Sequence, residues 1–263
     1  MTWNLKELEK KFAGKLFGGK VCYYAETAST NDDAFSMGMA GAAEGTVVIA
    51  DRQSRGRGRR QRSWHSPANV NLYTSLILRP QIHSCESSRI PIMAGVAVAD
   101  LLESFCPGCV GLKWPNDVLL NHKKVCGILS QARIHQGRID FIVLGIGLNV
   151  NMSRDQFPDE IRHTATSLIM QTGREFSRQE LLIRLYENLE KWYKQLTQNG
   201  FDAIRKKWLD FAIMMNQNIQ VAFGKEIIEG RAKDIDSDGA LILFVERNKE
   251  IKVSAGDATI IKR

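Results

Sequence analysis

Between residues 21 and 150 apolar and polar residues alternate in short blocks, and the blocks change period as they go. Val21 to Ala25, Gly45 to Ala50 (GTVVIA) and Asn71 to Leu78 (NLYTSLIL) are rich in β-branched and aromatic residues and predict strands. Asn31 to Met39 and the long apolar stretch Ile90 to Phe105 predict helices. Three more strands then follow at Asp117 to Leu120, Val125 to Ala132 and Ile139 to Leu144, the last two joined by Gln136-Gly137. Strands that follow one another without a helix between them pair antiparallel, so the pattern predicts an α+β fold rather than a doubly wound sheet. The expected core is a mixed, largely antiparallel sheet with flanking helices.

Beyond residue 150 the period lengthens. Residues 177–210 predict a helix that opens on Ser177-Arg-Gln-Glu180, a pattern in which serine and glutamate satisfy each other's orphan amides. Leu181, Leu182, Leu185, Leu189, Trp192 and Leu196 recur at helical spacing and form a core-facing stripe. From Met215 onward short strands return, separated by Gly224-Lys225, Ser237-Asp-Gly239 and Asn248-Lys249, which predicts a small antiparallel barrel. The chain therefore divides into residues 1–212 and a second domain of residues 213–263.

Composition narrows the function classes. With 44% hydrophobic and 25% charged residues, the chain can bury a substantial core. No run approaches the roughly 18 apolar residues of a membrane span, and MTWNLKELEKKF lacks the apolar segment of a signal peptide, so a cytoplasmic protein is expected. A net charge of +7 favours anionic partners without specifying which. Five scattered cysteines argue against a disulfide framework. Cys106-Pro-Gly-Cys109 has the spacing of half a zinc site or a redox pair, but no second pair follows and a helix precedes it, so it reads as a helix-stopping loop.

The densest chemistry lies in QSRGRGRRQRSW, residues 53–64, where five arginines and two glycines precede a tryptophan. Bracketed by two strands, the tract is a pinned loop and not a disordered tail. Gly56 and Gly58 free the backbone to turn its amides inward, while guanidinium groups offer paired donors to phosphate oxygens. Trp64 supplies a face on which a base can stack. A solvated loop, a nucleic-acid contact and a nucleotide cradle all remain open from the tract alone. The common nucleotide motifs are absent: no G-x-x-x-x-G-K-[ST] occurs, and Gly145-x-Gly147 is followed by Val150 where the dinucleotide fingerprint needs glycine or alanine.

Two further blocks change the picture. KWPNDVLL (Lys113 to Leu120) sets Asn116 and Asp117 at a strand start after a proline turn, with Lys123-Lys124-Val-Cys-Gly127 at the next turn. GIGLNVN spans Gly145 to Asn151. Together with Ser29-Thr30-Asn31, the arginine tract and Ser66-Pro67, these ordered blocks resemble the catalytic domain of biotin protein ligases, and the C-terminal strands resemble the small SH3-like domain of that family.

The resemblance implies a class II synthetase-like (biotin/lipoate ligase-like) catalytic domain with ATP and biotin as substrates, and Mg²⁺ carried on the ATP phosphates rather than by protein ligands. It implies that Ser29, Thr30 and Gln53 hydrogen-bond the ureido end of biotin, and that Gly127, Gly145 and Gly147 let backbone approach its rings. Lys124 is expected at the biotin carboxylate and then at the acyl-phosphate oxygens. Arg57, Arg59, Arg60 and Arg62 would bind carboxylate and phosphates, Trp64, Asn116 and Asn149 would serve the adenine and phosphate region, and Asp117 would face the incoming lysine. The catalytic set is thus Lys124, Asp117, Arg57 and Arg59. The partner implied is a biotin carboxyl carrier protein or domain of a biotin-dependent carboxylase, and a homodimer through the sheet edge is a family habit. Some members carry an N-terminal DNA-binding domain and act as repressors. The 20 residues before Val21 are too few for one, so a monofunctional ligase with no DNA or membrane partner is expected. The alternatives are a lipoate protein ligase and a nucleic-acid-binding module that uses the arginine tract.

Overall fold

Seven strands build the larger sheet in the computed structural model, which describes residues 3–223, 226–245 and 249–261. They are β1 (Lys20–Thr27), β2 (Thr46–Gln53), β3 (Leu72–Leu78), β4 (Val110–Lys113), β5 (Asp117–Leu120), β6 (Lys123–His135) and β7 (Arg138–Leu148), in the order β1-β2-β3-β7-β6-β5-β4. Only β1 and β2 run parallel, because helix α2 (Thr30–Met39) carries the chain back between them. The other neighbours are antiparallel.

Successive side chains of these strands point to opposite faces of the sheet. Val47, Ile49, Leu76 and Leu78 point into the main core, while Val48 and Ile77 point the other way onto Ala34 of α2, with Phe141 and Val143. Every residue of β3 is buried, as a central strand covered on both sides must be. The main core is closed by α3 (Arg89–Glu103), buried from Ile90 through Leu102 apart from Asp100 and Pro91, and by α5 (Arg178–Asn199), whose six-residue apolar stripe is buried throughout.

The expected helix over 177–210 is two helices. Ser177 Oγ accepts from the Glu180 amide at 3.3 Å, the serine half of the expected reciprocal cap, but Gly200 takes φ 81°, and the chain restarts as α6 (Asp202–Phe211), whose Ile204 and Trp208 reach the core. Three short elements had no clear sequence signal: helix α1 (Leu5–Phe12), helix α4 (Leu168–Thr172) and the four-residue β4. Cys106 to Cys109 forms the turn between α3 and β4, with the Cys109 amide on the Cys106 carbonyl at 3.2 Å, and all five cysteines are free.

The second sheet holds β8 (Asn218–Phe223), β9 (Glu226–Ile235), β10 (Leu241–Phe244), β11 (Glu250–Val253) and β12 (Asp257–Ile260), all antiparallel, in the order β11-β10-β9-β8-β12. It is the small SH3-like element expected from Met215 onward. Ser237-Asp238-Gly239 makes the β9–β10 turn, whereas the turns expected at Gly224-Lys225 and Asn248 lie outside the described residues.

That turn ties the second sheet to the first. Trp114 Nε1 donates to the Gly239 carbonyl at 3.0 Å, Arg89 donates to the Ser237 carbonyl and pairs with Asp238, and Arg205 pairs with Asp234. The Ile213 amide donates to the Leu112 carbonyl at 3.1 Å, so the chain still follows the edge of the first sheet at the start of the expected second domain. With the second sheet so tied, β12 lies at the strand ends where the motifs singled out from the sequence emerge.

Candidate functional site

A cavity of about 890 Å³ opens where β3, β6 and β7 face the arginine loop, with β12 forming part of its rim. Ser29, Thr30 and Gln53 lie at one part of its wall, Gly127, Gly145 and Gly147 in its floor, and Asn116, Asp117, Lys124 and Asn149 along its strand-end side. Arg57, Arg59, Arg62 and Trp64 come in from the loop. Arg60 is the exception among the residues singled out from the sequence: it does not line the cavity. Its guanidinium donates to the Ala222 carbonyl and faces Asp257 on the second sheet.

The polar end is a closed network. Gln53 Oε1 accepts from the Thr30 amide at 2.9 Å and from Thr30 Oγ1 at 3.1 Å, while its Nε2 donates to Ser66 Oγ at 3.0 Å. Ser75 Oγ lies 2.8 Å from Thr30 Oγ1 and 2.7 Å from Asn31 Oδ1. Ser29 precedes α2 with an extended backbone, is 1% exposed, and makes no capping bond to the helix with its side chain. Asn31, part of the Ser29-Thr30-Asn31 block but given no role from the sequence, and Ser75, not singled out at all, are the buried partners that fix Thr30.

The glycines of the floor make room for protein side chains. A Cβ on Gly145 would stand 1.8 Å from Asn31 Oδ1, and one on Gly147 would stand 2.5 Å from Trp64 Nε1. At Gly127 the nearest atom would be Trp64 Cζ3 at 2.9 Å. Trp64 therefore packs against the backbone of β6 and β7, in the place where the sequence reading expected ligand rings, and its buried Nε1 has no hydrogen-bond partner among the described residues. A buried orphan donor is costly, and a ligand oxygen brought into the cavity would satisfy it.

Lys124 and Asp117 are a pair. Lys124 Nζ sits 2.6 Å from Asp117 Oδ1 and 5.4 Å from the centre of the Trp64 ring. The strand bearing Lys124 is locked by its own amide on the Thr164 carbonyl at 2.8 Å and by the Thr166 amide on its carbonyl at 2.9 Å. Asn116 Nδ2 donates to the Ile128 carbonyl at 2.7 Å across the turn that follows the cis Trp114-Pro115 bond. Asn149 is 4% exposed; its Nδ2 donates to the Thr166 carbonyl at 2.9 Å and its Oδ1 accepts from Asn71 at 3.4 Å, so its amide braces the wall. Met152, Phe157 and Ala165 complete that wall with an apolar cluster.

The arginine loop is folded back on itself. Arg57 and Ser63 form a β-bridge, the Gly58 amide donates to the Arg62 carbonyl at 2.7 Å, and the Trp64 amide to the Gly56 carbonyl at 2.8 Å. Gly56 is held to glycine by space, since a Cβ there would meet the Trp64 carbonyl oxygen at 2.4 Å. Arg57 pairs with Asp32 on α2. Arg59, Arg60 and Arg62 converge on one carboxylate, Asp257, rather than fanning into solvent. Burial lowers the hold of Arg59 on its proton, the nearby Asp257 raises it, and the net shift is downward from an ordinary arginine. A polyanion would enter a site rich in guanidinium groups, of which Arg59 is partly desolvated.

Among the described residues no group of three or more His, Cys, Asp or Glu side chains is placed to hold a metal ion, and no helix is long and apolar enough to cross a membrane.

Residues 23–149 match the model of the biotin/lipoate A/B protein ligase family, and residues 215–259 that of the biotin protein ligase C-terminal domain. The chain is 35% identical to the bifunctional ligase/repressor BirA of Bacillus spizizenii over 242 residues, which cover 91% of this chain and 74% of that protein. It is 36% identical to the biotin–acetyl-CoA-carboxylase ligase of Paracoccus denitrificans, covering 83% of this chain and 92% of that one. The biotin protein ligase of Aquifex aeolicus, solved in complex with biotin and ATP, superposes with a TM-score of 0.78 at 26% identity, covering 93% of this chain and 99% of that one.

Proposed function

The chain belongs to the biotin/lipoate A/B protein ligase family, and we propose that it couples biotin to ATP as biotinyl-5′-AMP and transfers the biotinyl group to a lysine of a biotin carboxyl carrier protein or domain. The observation that carries this is the single cavity in which a hydrogen-bonding polar end, the Lys124–Asp117 pair and the arginine loop meet.

A carboxylate is a poor electrophile, so its oxygen must first attack the α-phosphorus of ATP and displace pyrophosphate. Two anions are forced together in that step. Lys124 would hold the biotin carboxylate and Arg57, Arg59 and Arg62 the phosphates, placing fixed positive charge where negative charge develops. Arg60 would act from the second sheet rather than from the cavity wall. Mg²⁺ bound to the triphosphate would supply charge neutralisation at the leaving pyrophosphate. Ser29, Thr30 and Gln53 would meet the ureido group, Gly127, Gly145 and Gly147 would keep the floor flat beneath the ligand, and Trp64, with Asn116 and the braced Asn149, would line the adenylate.

In the second step the acceptor amine attacks the acyl carbon, AMP departs, and the ammonium proton is lost. Holding a lysine neutral at pH 7.4 costs roughly 4 kcal/mol, from an unperturbed value near 10.4 at 1.36 kcal/mol per unit. The 2.6 Å pairing of Lys124 with Asp117 links the two steps. When the biotin carboxylate engages Lys124, Asp117 is freed to orient the incoming amine and to take its proton late.

The finer reading is a ligase without repressor activity, acting in the cytoplasm without DNA, as a catalytic domain of residues 1–212 followed by a second domain of residues 213–263. The five free cysteines support the location. A homodimer through a sheet edge has β1 and β4 as the candidate edges.

Purified protein incubated with biotin and Mg-ATP is expected to form biotinyl-AMP and pyrophosphate, with lipoate a poor competitor. No adenylate from biotin, or preferential use of lipoate, overturns the proposal.

A further inference from the structure

Cys106-Pro107-Gly108-Cys109 is a fixed turn with a thiol at each end. The Cys109 amide donates to the Cys106 carbonyl at 3.2 Å, and Gly108, third residue of the turn, has φ 74°. Proline in second place and a left-handed glycine in third are the marks of a type II turn, whose first and last Cα atoms lie within about 7 Å of each other. A disulfide spans Cα atoms about 4.4–6.8 Å apart, so the backbone holds the two cysteines at bridging range.

The turn is pinned from both sides. The Cys106 amide donates to the Leu102 carbonyl of α3 at 2.9 Å and the Gly108 amide to Glu103 Oε1 at 2.7 Å, while the Cys109 carbonyl accepts from the Asn121 amide of the β5–β6 turn at 2.9 Å. The side chains follow. Cys109 Sγ bends back over the turn to 3.7 Å from the Pro107 carbonyl oxygen, and the two thiols share a hydrogen bond. Both are half-buried and so within reach of a small reagent, whereas Cys126 is sealed in the core. The proposed ligation makes no use of this pair, which stands at the opposite end of β4 from Lys113.

We propose that Cys106 and Cys109 form a redox site: a dithiol that exchanges with small-molecule disulfides of the glutathione type and closes into a disulfide within the turn. The Cys109 thiolate attacks one sulfur of oxidised glutathione, whose S–S bond breaks; the glutathione thiolate that leaves takes up the proton Cys109 gave to solvent. Cys106 then loses its proton, attacks the Cys109 sulfur of the mixed disulfide and expels the second glutathione, which leaves as a thiol. Two electrons pass from the protein sulfurs to the oxidant, which ends as two thiols. Cys109 attacks first because burial and the contact with Cys109 push the Cys106 thiol up to about 11, so Cys106 holds its proton longer. The bridge closes across a turn that is in place, so it needs no backbone rearrangement. A disulfide of this kind is transient in a reducing compartment and persists when the thiol pool is oxidised.

The chemistry needs neither biotin nor ATP, so it is tested without them. Folded full-length protein is equilibrated in glutathione buffers running from reduced to oxidised, quenched with an alkylating agent and digested with trypsin. The tryptic peptide of residues 90–113 holds both thiols and no other cysteine. In oxidised buffer it is expected to be unalkylated and two hydrogens lighter than the dithiol form, and to return to the doubly alkylated form in reduced buffer. The oxidised protein is expected to melt at or above the melting temperature of the reduced one. Alkylation of both thiols in every buffer overturns the proposal, as does wild-type protein that stops at a glutathione adduct, a bridge that forms only after unfolding in urea, or a lowered melting temperature on oxidation.

Single variants read the order of attack. Cys106→Ser is expected to stop at a glutathione adduct on Cys109, and Cys109→Ser to acquire its adduct on Cys106 at least tenfold more slowly. Equal rates in the two variants overturn the assignment of Cys109 as the attacking thiol, and a Cys106→Ser protein that takes no adduct overturns the site.

Discussion

Gly145→Ala tests whether the floor of the cavity is built as described. Gly145 pairs with Ser75 of β3 on one side and Leu129 of β6 on the other. Asn31, at the start of α2, drops its amide onto the gap between them, with Oδ1 at 2.7 Å from Ser75 Oγ and Nδ2 at 3.3 Å from the Leu129 carbonyl. The new Cβ would stand 1.8 Å from Oδ1, 2.7 Å from Cγ and 3.0 Å from Nδ2, so no small rotation relieves it. Asn31 must leave its place. Losing two hydrogen bonds costs about 1 kcal/mol each, and overpacking a tight site adds about 1–3 kcal/mol, for a sum of about 3–5 kcal/mol. At about 2–4 °C per kcal/mol for a chain of this size, the melting temperature falls by about 6–20 °C. Thermal denaturation followed by circular dichroism measures it. A double variant sharpens the test: Asn31→Ala removes the obstructing amide, so Asn31→Ala/Gly145→Ala should be no less stable than Asn31→Ala alone. A Gly145→Ala protein that melts within 1 °C of wild type, or a double variant that shows the simple sum, would falsify the packing argument.

Three other outcomes are expected. Lys124→Met should lower adenylate formation by about 10²–10³-fold, the range for removing one group that stabilises developing charge, at near-wild-type stability; pyrophosphate release measures it, and a wild-type rate contradicts the assignment. Asp117→Asn should slow transfer from preformed biotinyl-AMP to the carrier lysine by about 10²-fold, the lower end for acid–base help, and equal single-turnover transfer rates would remove Asp117 from that step. Burial pushes the Asp51 carboxyl up, but hydrogen bonds from Tyr23, Arg178 and Trp3 outweigh it and leave it below the ordinary value. A lowered value means stability that is complete above the unfolded carboxylate pKa of about 3.9 and lost as pH falls through the folded one. Asp51→Asn should therefore be less stable at pH 7 and show a flatter loss below pH 4 in urea titrations, and an acid limb as steep as wild type would refute this.

What the chain displays in its sequence is what periodicity and turn chemistry encode. Short apolar runs mark β2 and β3 as buried strands, the stripe from Leu181 to Leu196 marks α5, and three successive strands without helices mark the antiparallel half of the sheet. β4 escaped notice because Val110 to Lys113 (VGLK) has a glycine between its two apolar residues, unlike the apolar run of β5 (DVLL). Gly200 inside a helical run reads as a tolerated glycine until its positive φ is seen. In the site, residue types pointed to the right segments but not to their mutual contacts. Trp64 at a loop end gives no sign of whether its ring faces a ligand or lies on Gly127 and Gly147, since that depends on how residues 57–63 fold back. Arg60 is indistinguishable from Arg59 in sequence, yet its left-handed backbone turns it out of the cavity onto the Ala222 carbonyl. The Asp257 contact joins positions 198 residues apart and exists only through tertiary packing.

The central claim is transfer of biotin to protein, and intact-mass analysis of a biotin carboxyl carrier domain tests it most directly. The carrier is incubated with this protein, Mg-ATP and either biotin or lipoate, beside a carrier whose acceptor lysine is replaced by arginine. The account predicts one biotinyl addition with biotin, little or none with lipoate, and none on the lysine-free carrier. A carrier of unchanged mass in the presence of biotin, from an acceptor that a known ligase does modify, would contradict it.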